Sequence, residues 1–203
     1  MDDYDLAIKS RLKFKGEKKA KKRKRPKEDE TTSKYQNQER DARAEDADDH
    51  GGWWAVKAFE HARGDITIEF LPSCYAKALS NGRIVLGQPH PPGDGPDEEE
   101  IFTAISAGPN LVAIKSGYGR YLTVNNKNRL MGTSEAVGER EKFVPVFEDD
   151  KMALCAHNNC FISPEDSGDD RRLIAQSETV GPDEICTIRL SHDPLRSKQR
   201  LLT

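Results

Sequence analysis

An all-β fold closed around a threefold axis is predicted for residues 51–190 by three observations. The first is texture: from Gly51 onward, runs of Ile, Val, Leu, Phe and Tyr too short for helices alternate with Gly, Pro, Asn and Asp, and read as strands and turns. The second is recurrence of one pattern at intervals of 40 to 46 residues. The third is the number of copies, three. A unit of this size cannot bury its apolar face alone, so the copies must complete a common core. A propeller usually needs at least four blades, whereas three all-β units close best as a single β-trefoil of three repeats of about 40 residues.

The elements follow in order. "GGWWAV" opens the body, and its adjacent tryptophans point to opposite faces of a strand, so one of Trp53 and Trp54 enters the core. Either both are covered by the loop around Pro89–Pro96, or Trp53 or Trp54 is an exposed anchor for a protein partner. "ITIEFLPSCYAKALSNGRIVLG", "VAIKSGYGRYLTVNNKNRLMG" and "MALCAHNNCFISPEDSGDDRRLIA" then superpose, with Ile68, Ile114 and Leu154 in register and Tyr75, Tyr121 and Phe161 seven residues later. The turn-forming stretches Ser80–Gly82, Asn125–Asn128 and Glu165–Asp170 each follow the aromatic strand, where Asn, Asp and Gly tolerate the left-handed backbone of a tight hairpin. "GQPHPPGDGPDEEE" is an extended loop within the first copy. Each copy closes on an apolar pair spaced by three, Phe102 with Ile105, Phe143 with Val146, and Ile185 with Ile188, preceded by Glu100, Glu141 or Glu184.

Ahead of this body, residues 1–50 form an arm with little to bury. It holds 15 Lys/Arg and 13 Asp/Glu, sorted by sign: twelve basic residues between Lys9 and Lys27, nine acids between Glu28 and Asp49. Such blocks repel themselves, and a disordered charged arm is expected until it binds. Lys18, Lys19, Lys21, Lys22, Arg23, Lys24, Arg25 and Lys27 are dense enough for a nuclear localisation signal read by an import receptor, with phosphate contact as a second use. Residues 191–203 are a short C-terminal tail. The body is acidic, 17 Lys/Arg against 22 Asp/Glu, and its Arg83, Arg120, Arg129, Arg140 and the pair Arg171 and Arg172 read as isolated charges.

No apolar run approaches the roughly 18 residues of a membrane span, and "MDDYDLAIK" has no hydrophobic signal core, so a soluble intracellular protein without membrane partners is expected. Cys74, Cys155, Cys160 and Cys186 form no C-x-x-C pair; Cys155, His157 and Cys160 fall short of the four ligands of a zinc site and read as free thiols and a loop histidine. "SGYGRYL", Ser116 to Leu122, lacks the following helix of a phosphate loop and reads as a turn. No nucleophile, base and carboxylate fall into a catalytic pattern, so no enzyme, catalytic residue, cofactor, metal or small-molecule substrate is expected.

"AIKSGYGRYL", "MGTSEAVGEREKFVPVF" and "DDKMALCAHNNCFI", in this order between Trp53 and Leu190 and behind a basic arm, closely resemble the facioscapulohumeral dystrophy region gene 1 protein family. The resemblance implies a fascin-like β-trefoil and a nuclear protein of nucleoli, speckles or Cajal bodies with a cytoplasmic fraction. It implies association with spliceosomal proteins and RNA in pre-mRNA splicing and in rRNA processing, and, as the alternative, binding and bundling of F-actin.

Overall fold

The computed structural model describes residues 28–168 and 170–193, and the side chains of those from Gln38 onward except Ser167. The chain divides into two units, Met1–Asn37 and Gln38–Thr203. The second is the expected β-trefoil.

A two-residue strand, β1 (Trp54–Ala55), precedes twelve strands in three sets of four. The first set is β2 (Gly64–Leu71), β3 (Cys74–Ala78), β4 (Ile84–Leu86) and β5 (Phe102–Gly108). The second is β6 (Leu111–Ser116), β7 (Tyr121–Val124), β8 (Leu130–Ser134) and β9 (Val144–Glu148). The third is β10 (Lys151–Cys155), β11 (Phe161–Ser167), β12 (Asp170–Ser177) and β13 (Ile185–Leu190). The first and fourth strands of each set build a six-stranded barrel: β2 pairs β5, β5 pairs β6, a bridge between Val112 and Phe143 joins β6 to the start of β9, β9 pairs β10, β10 pairs β13, and β13 returns to β2. The middle strands form three hairpins that cap one end of it.

The repeats superpose in register as well as in sequence. Tyr75 faces Glu69, Tyr121 faces Lys115 and Phe161 faces Cys155, each one pair beyond the buried Ile68, Ile114 or Leu154. Two residues before each aromatic the backbone turns left-handed, at Ser73 (φ 55°), Gly119 (φ 78°) and Asn159 (φ 60°). Gly119 in "SGYG" and Asn159 in "HNNC" therefore perform one task, the turn that the sequence predicts there.

The closing pairs need one correction. Phe102, Phe143 and Cys186 occupy equivalent positions, opposite Ile66, Val112 and Met152, and all three are buried. The third-copy residue is thus Cys186, one beyond the expected Ile185, and the thiol fills the place of a ring. Ile105 and Val146 are exposed, so the second member of the spaced pair is no core position in the first two copies. The acids before the pairs have a local purpose. Glu100, Glu141 and Glu184 each end a single 3₁₀ turn and accept the backbone N–H of the residue three earlier: Asp97 at 2.9 Å, Gly138 at 2.8 Å and Gly181 at 2.8 Å. The third hairpin is longer than expected, with β11 and β12 pairing through Ser167 and Asp170.

The arm also differs from expectation. Residues 28–49, taken as part of a disordered segment, form a helix, α1 (Glu28–Asp49). The segment contains neither Gly nor Pro, and it stops at the pair Gly51 and Gly52, both left-handed (φ 63° and 85°), with the Gly52 N–H bonded to the Ala47 carbonyl at 2.7 Å. Residues from Gln38 onward group with the trefoil unit. What holds this stretch is charge pairing rather than an apolar stripe, although Ala47 is fully buried. No described helix is long and apolar enough to cross a membrane.

Candidate nucleic-acid interface

The basic run from Lys18 to Lys27 lies outside the described residues. Trp53 and Trp54 are half-buried and each has a neighbour within the chain: Trp53 lies against Gly95 of the Pro-rich loop, and the Arg43 guanidinium sits 5.9 Å from the Trp54 ring centre. The Trp53 carbonyl also accepts a bond from Arg189 at 3.4 Å. Among the cysteines, Cys74 and Cys186 are buried, and Cys155 and Cys160 are half-buried free thiols.

Two clusters of charge stand out. The first joins α1 to the barrel. Arg189 on β13 is buried; its Nε donates to Glu69 Oε2 at 2.7 Å, and its two terminal nitrogens grip both oxygens of Asp46 at 2.8 and 3.1 Å. His50 completes the seam, with Nδ1 donating to the Asp46 carbonyl at 2.6 Å and Nε2 placed 3.1 Å from Glu69 Oε1. Facing two acceptors, the ring fills both bonds when both nitrogens carry protons. Burial works to raise the Asp46 carboxyl, but the Arg189 guanidinium outweighs it and holds the group below its ordinary value. Nearby, burial pushes the Glu100 carboxyl up, against the pull of the Asp97 N–H and of His90 at 2.8 Å. The Tyr75 hydroxyl, fully buried and without a partner among the described residues, is pushed up to about 12 by the same cause.

The second cluster overturns the reading of the body's arginines as isolated. At the cap, the three hairpins bridge one another cyclically: Arg83 opposite Met131, Arg129 opposite Ile174, and Arg172 opposite Val85. Each arginine immediately precedes a buried aliphatic residue, Ile84, Leu130 or Leu173, and is bridged to the residue two beyond the next arginine in the ring. The three are equivalent under the threefold arrangement. All are half-buried and all line one cleft of about 490 Å³, whose apolar lining includes those aliphatic side chains and whose rim carries Asn125, Asn126 and Lys127. Arg83 pairs with Asp170 at 2.5 Å. The side chains of Arg129 and Arg172 have no hydrogen-bond or ion-pair partner among the described residues. The signal was in the sequence: "RIVLG", "RLMG" and "RLIA" begin alike, and laying the copies around an axis makes separation along the chain irrelevant.

This geometry is accompanied by a clear kinship. The FRG1-like domain matches residues 73–201. The chain belongs to the FRG1 family. A protein named Protein FRG1 homolog from Drosophila melanogaster is 46% identical over 145 residues, covering 71% of this chain and 55% of that one. The Caenorhabditis elegans protein of the same name is 30% identical over 152 residues, with 71% and 56% covered. The chain thus spans about half the length of these FRG1 relatives. A solved structure, a designed threefold-symmetric protein called ThreeFoil, matches the fold with a TM-score of 0.52 at 14% identity, over 62% of this chain and 97% of that one.

Proposed function

We propose that this FRG1-family chain is a non-enzymatic nuclear RNA-processing factor, a spliceosome-associated component of pre-mRNA splicing that also serves rRNA processing. The observation that carries the reading is the convergence of Arg83, Arg129 and Arg172 on one face of a trefoil whose composition is otherwise acidic. Guanidinium groups gathered this way suit phosphates, and the basic run of the arm supplies both an import signal and further phosphate contacts. The histidines with ring partners, His50 and His90, hold the fold together rather than a reacting group.

Affinity purification of the full chain from nuclear extract, followed by protein identification, tests this reading. Splicing factors are expected, in amounts reduced by ribonuclease. Their absence from a preparation with intact complexes removes the proposal. Replacing Lys21 to Arg25 with glutamine is expected to move the protein to the cytoplasm.

The same basic face favours a second reading, binding of F-actin, because the filament surface is acidic. Co-sedimentation with filaments separates the two: no pelleting at low salt discards it.

A further inference from the structure

We propose that the threefold cap is a binding site for a compact group of phosphates, held by Arg83, Arg129 and Arg172 around their common axis. This deepens the reading above by assigning it a location, and rests on that reading only where the phosphates are those of nucleic acid. Three features carry it. Like charges gathered on one face repel, and among the described residues Asp170 on Arg83 makes the one ion pair to the three guanidiniums, Glu165 lying opposite Arg172 across the hairpin without pairing with it. The cleft has buried aliphatic lining from Ile84, Leu130 and Leu173, which lowers the local dielectric and strengthens any anion held above it. Its volume, about 490 Å³, is that of a small-molecule site and accommodates several phosphates at once.

The symmetry says more about the ligand than charge alone. Three equivalent arginines around an axis meet a compact anion from three sides, each guanidinium offering a planar fork to a different phosphate. A running nucleic-acid strand engages two of them and continues over Lys127. The shared chemistry is adjacent phosphates, supplied either by a nucleic-acid backbone or by a soluble polyphosphate. Arg83, which must exchange Asp170 for the ligand, contributes less than Arg129 or Arg172.

The experiment uses the full chain, the pair variant Arg129→Gln with Arg172→Gln, and an arm variant with Lys21, Lys22, Arg23, Lys24 and Arg25 all changed to Gln. Each is titrated with inositol hexakisphosphate and, separately, with a labelled single-stranded oligouridine of about twelve nucleotides, at two salt concentrations. The pair variant is expected to lose at least about tenfold in affinity and about two units of salt slope for one probe or both. Loss for the hexakisphosphate marks a soluble polyphosphate, and loss for the RNA alone marks nucleic acid. If neither probe distinguishes a pair variant that melts like the parent, the cap is not a phosphate site. Loss of RNA confined to the arm variant, with the pair variant binding hexakisphosphate like the parent, overturns the cap proposal while leaving the RNA-processing reading intact, so the two fail separately.

Discussion

Arginine is used in opposite ways at two places on this trefoil unit. Arg189 is buried with its donors committed to Glu69, Asp46 and the Trp53 carbonyl, whereas Arg129 and Arg172 are half-buried with none committed among the described residues. Taking a guanidinium out of water is expensive, and the seam offsets that cost internally. The cap leaves its arginines half in water, with Arg83 paired to Asp170 and Arg129 and Arg172 in no ion pair among the described residues, which makes it a surface suited to an outside anion. The difference teaches that conserving charge type says little about role; the count of internal acceptors decides it.

The largest test of this contrast is Arg189→Met. Removing one partner of a buried pair leaves Glu69 without its main counter-charge, and a loss of about 3–5 kcal/mol in unfolding free energy is expected from urea titration. A loss under about 1 kcal/mol would erase the distinction between the two sites. Asp46→Asn is smaller, because its side chain is 41% exposed and solvent screens the pair; a loss below about 1 kcal/mol is expected at neutral pH. Its pH dependence carries the sharper information. The Asp46 carboxyl is held below its ordinary value of 3.8, so its stabilisation is present above that value and disappears as pH falls through the folded-state value. Wild type and Asp46→Asn should therefore differ in stability at pH 7, with the gap starting to close near pH 3.8 and vanishing only as pH falls through the lower folded-state value. An equal gap at pH 7 and below that lower value would mean that the variant acts through something other than charge. The smallest effect is expected at the cap: Arg129→Gln with Arg172→Gln should change stability by no more than about 0.5 kcal/mol, and a drop beyond about 1.5 kcal/mol would make these arginines part of the scaffold.

Much of the fold was legible because barrel and cap obey a repeat. Ile68, Ile114 and Leu154 lie in register since each repeat must present the same side chain to a shared core. The repeat was misread where residue type changed while position held: Cys186 stands where the other copies have phenylalanine, and a small apolar thiol does not announce itself as core. The docking of residues 38–49 left no apolar pattern to read, because its main tie is the pairing of Asp46 with a residue 143 positions away. The candidate site was missed for a related reason. Arg83, Arg129 and Arg172 are far apart in sequence and become neighbours only through the cyclic bridges of the cap.

The seam between the first and last barrel strands sets the order in which this molecule can be completed. Ile66 on β2 pairs with Leu190 on β13, so the opening strand waits, during synthesis, until the closing one has left the ribosome. Until then the nascent chain carries two open sheet edges, which invite pairing with other chains. The cap is under the same constraint, because Arg172 bridges back to Val85 and the ring of arginines closes only when the third copy arrives. A messenger cut short before the last repeat would therefore yield a chain with raw edges and an incomplete ring, fit for disposal rather than for partial duty.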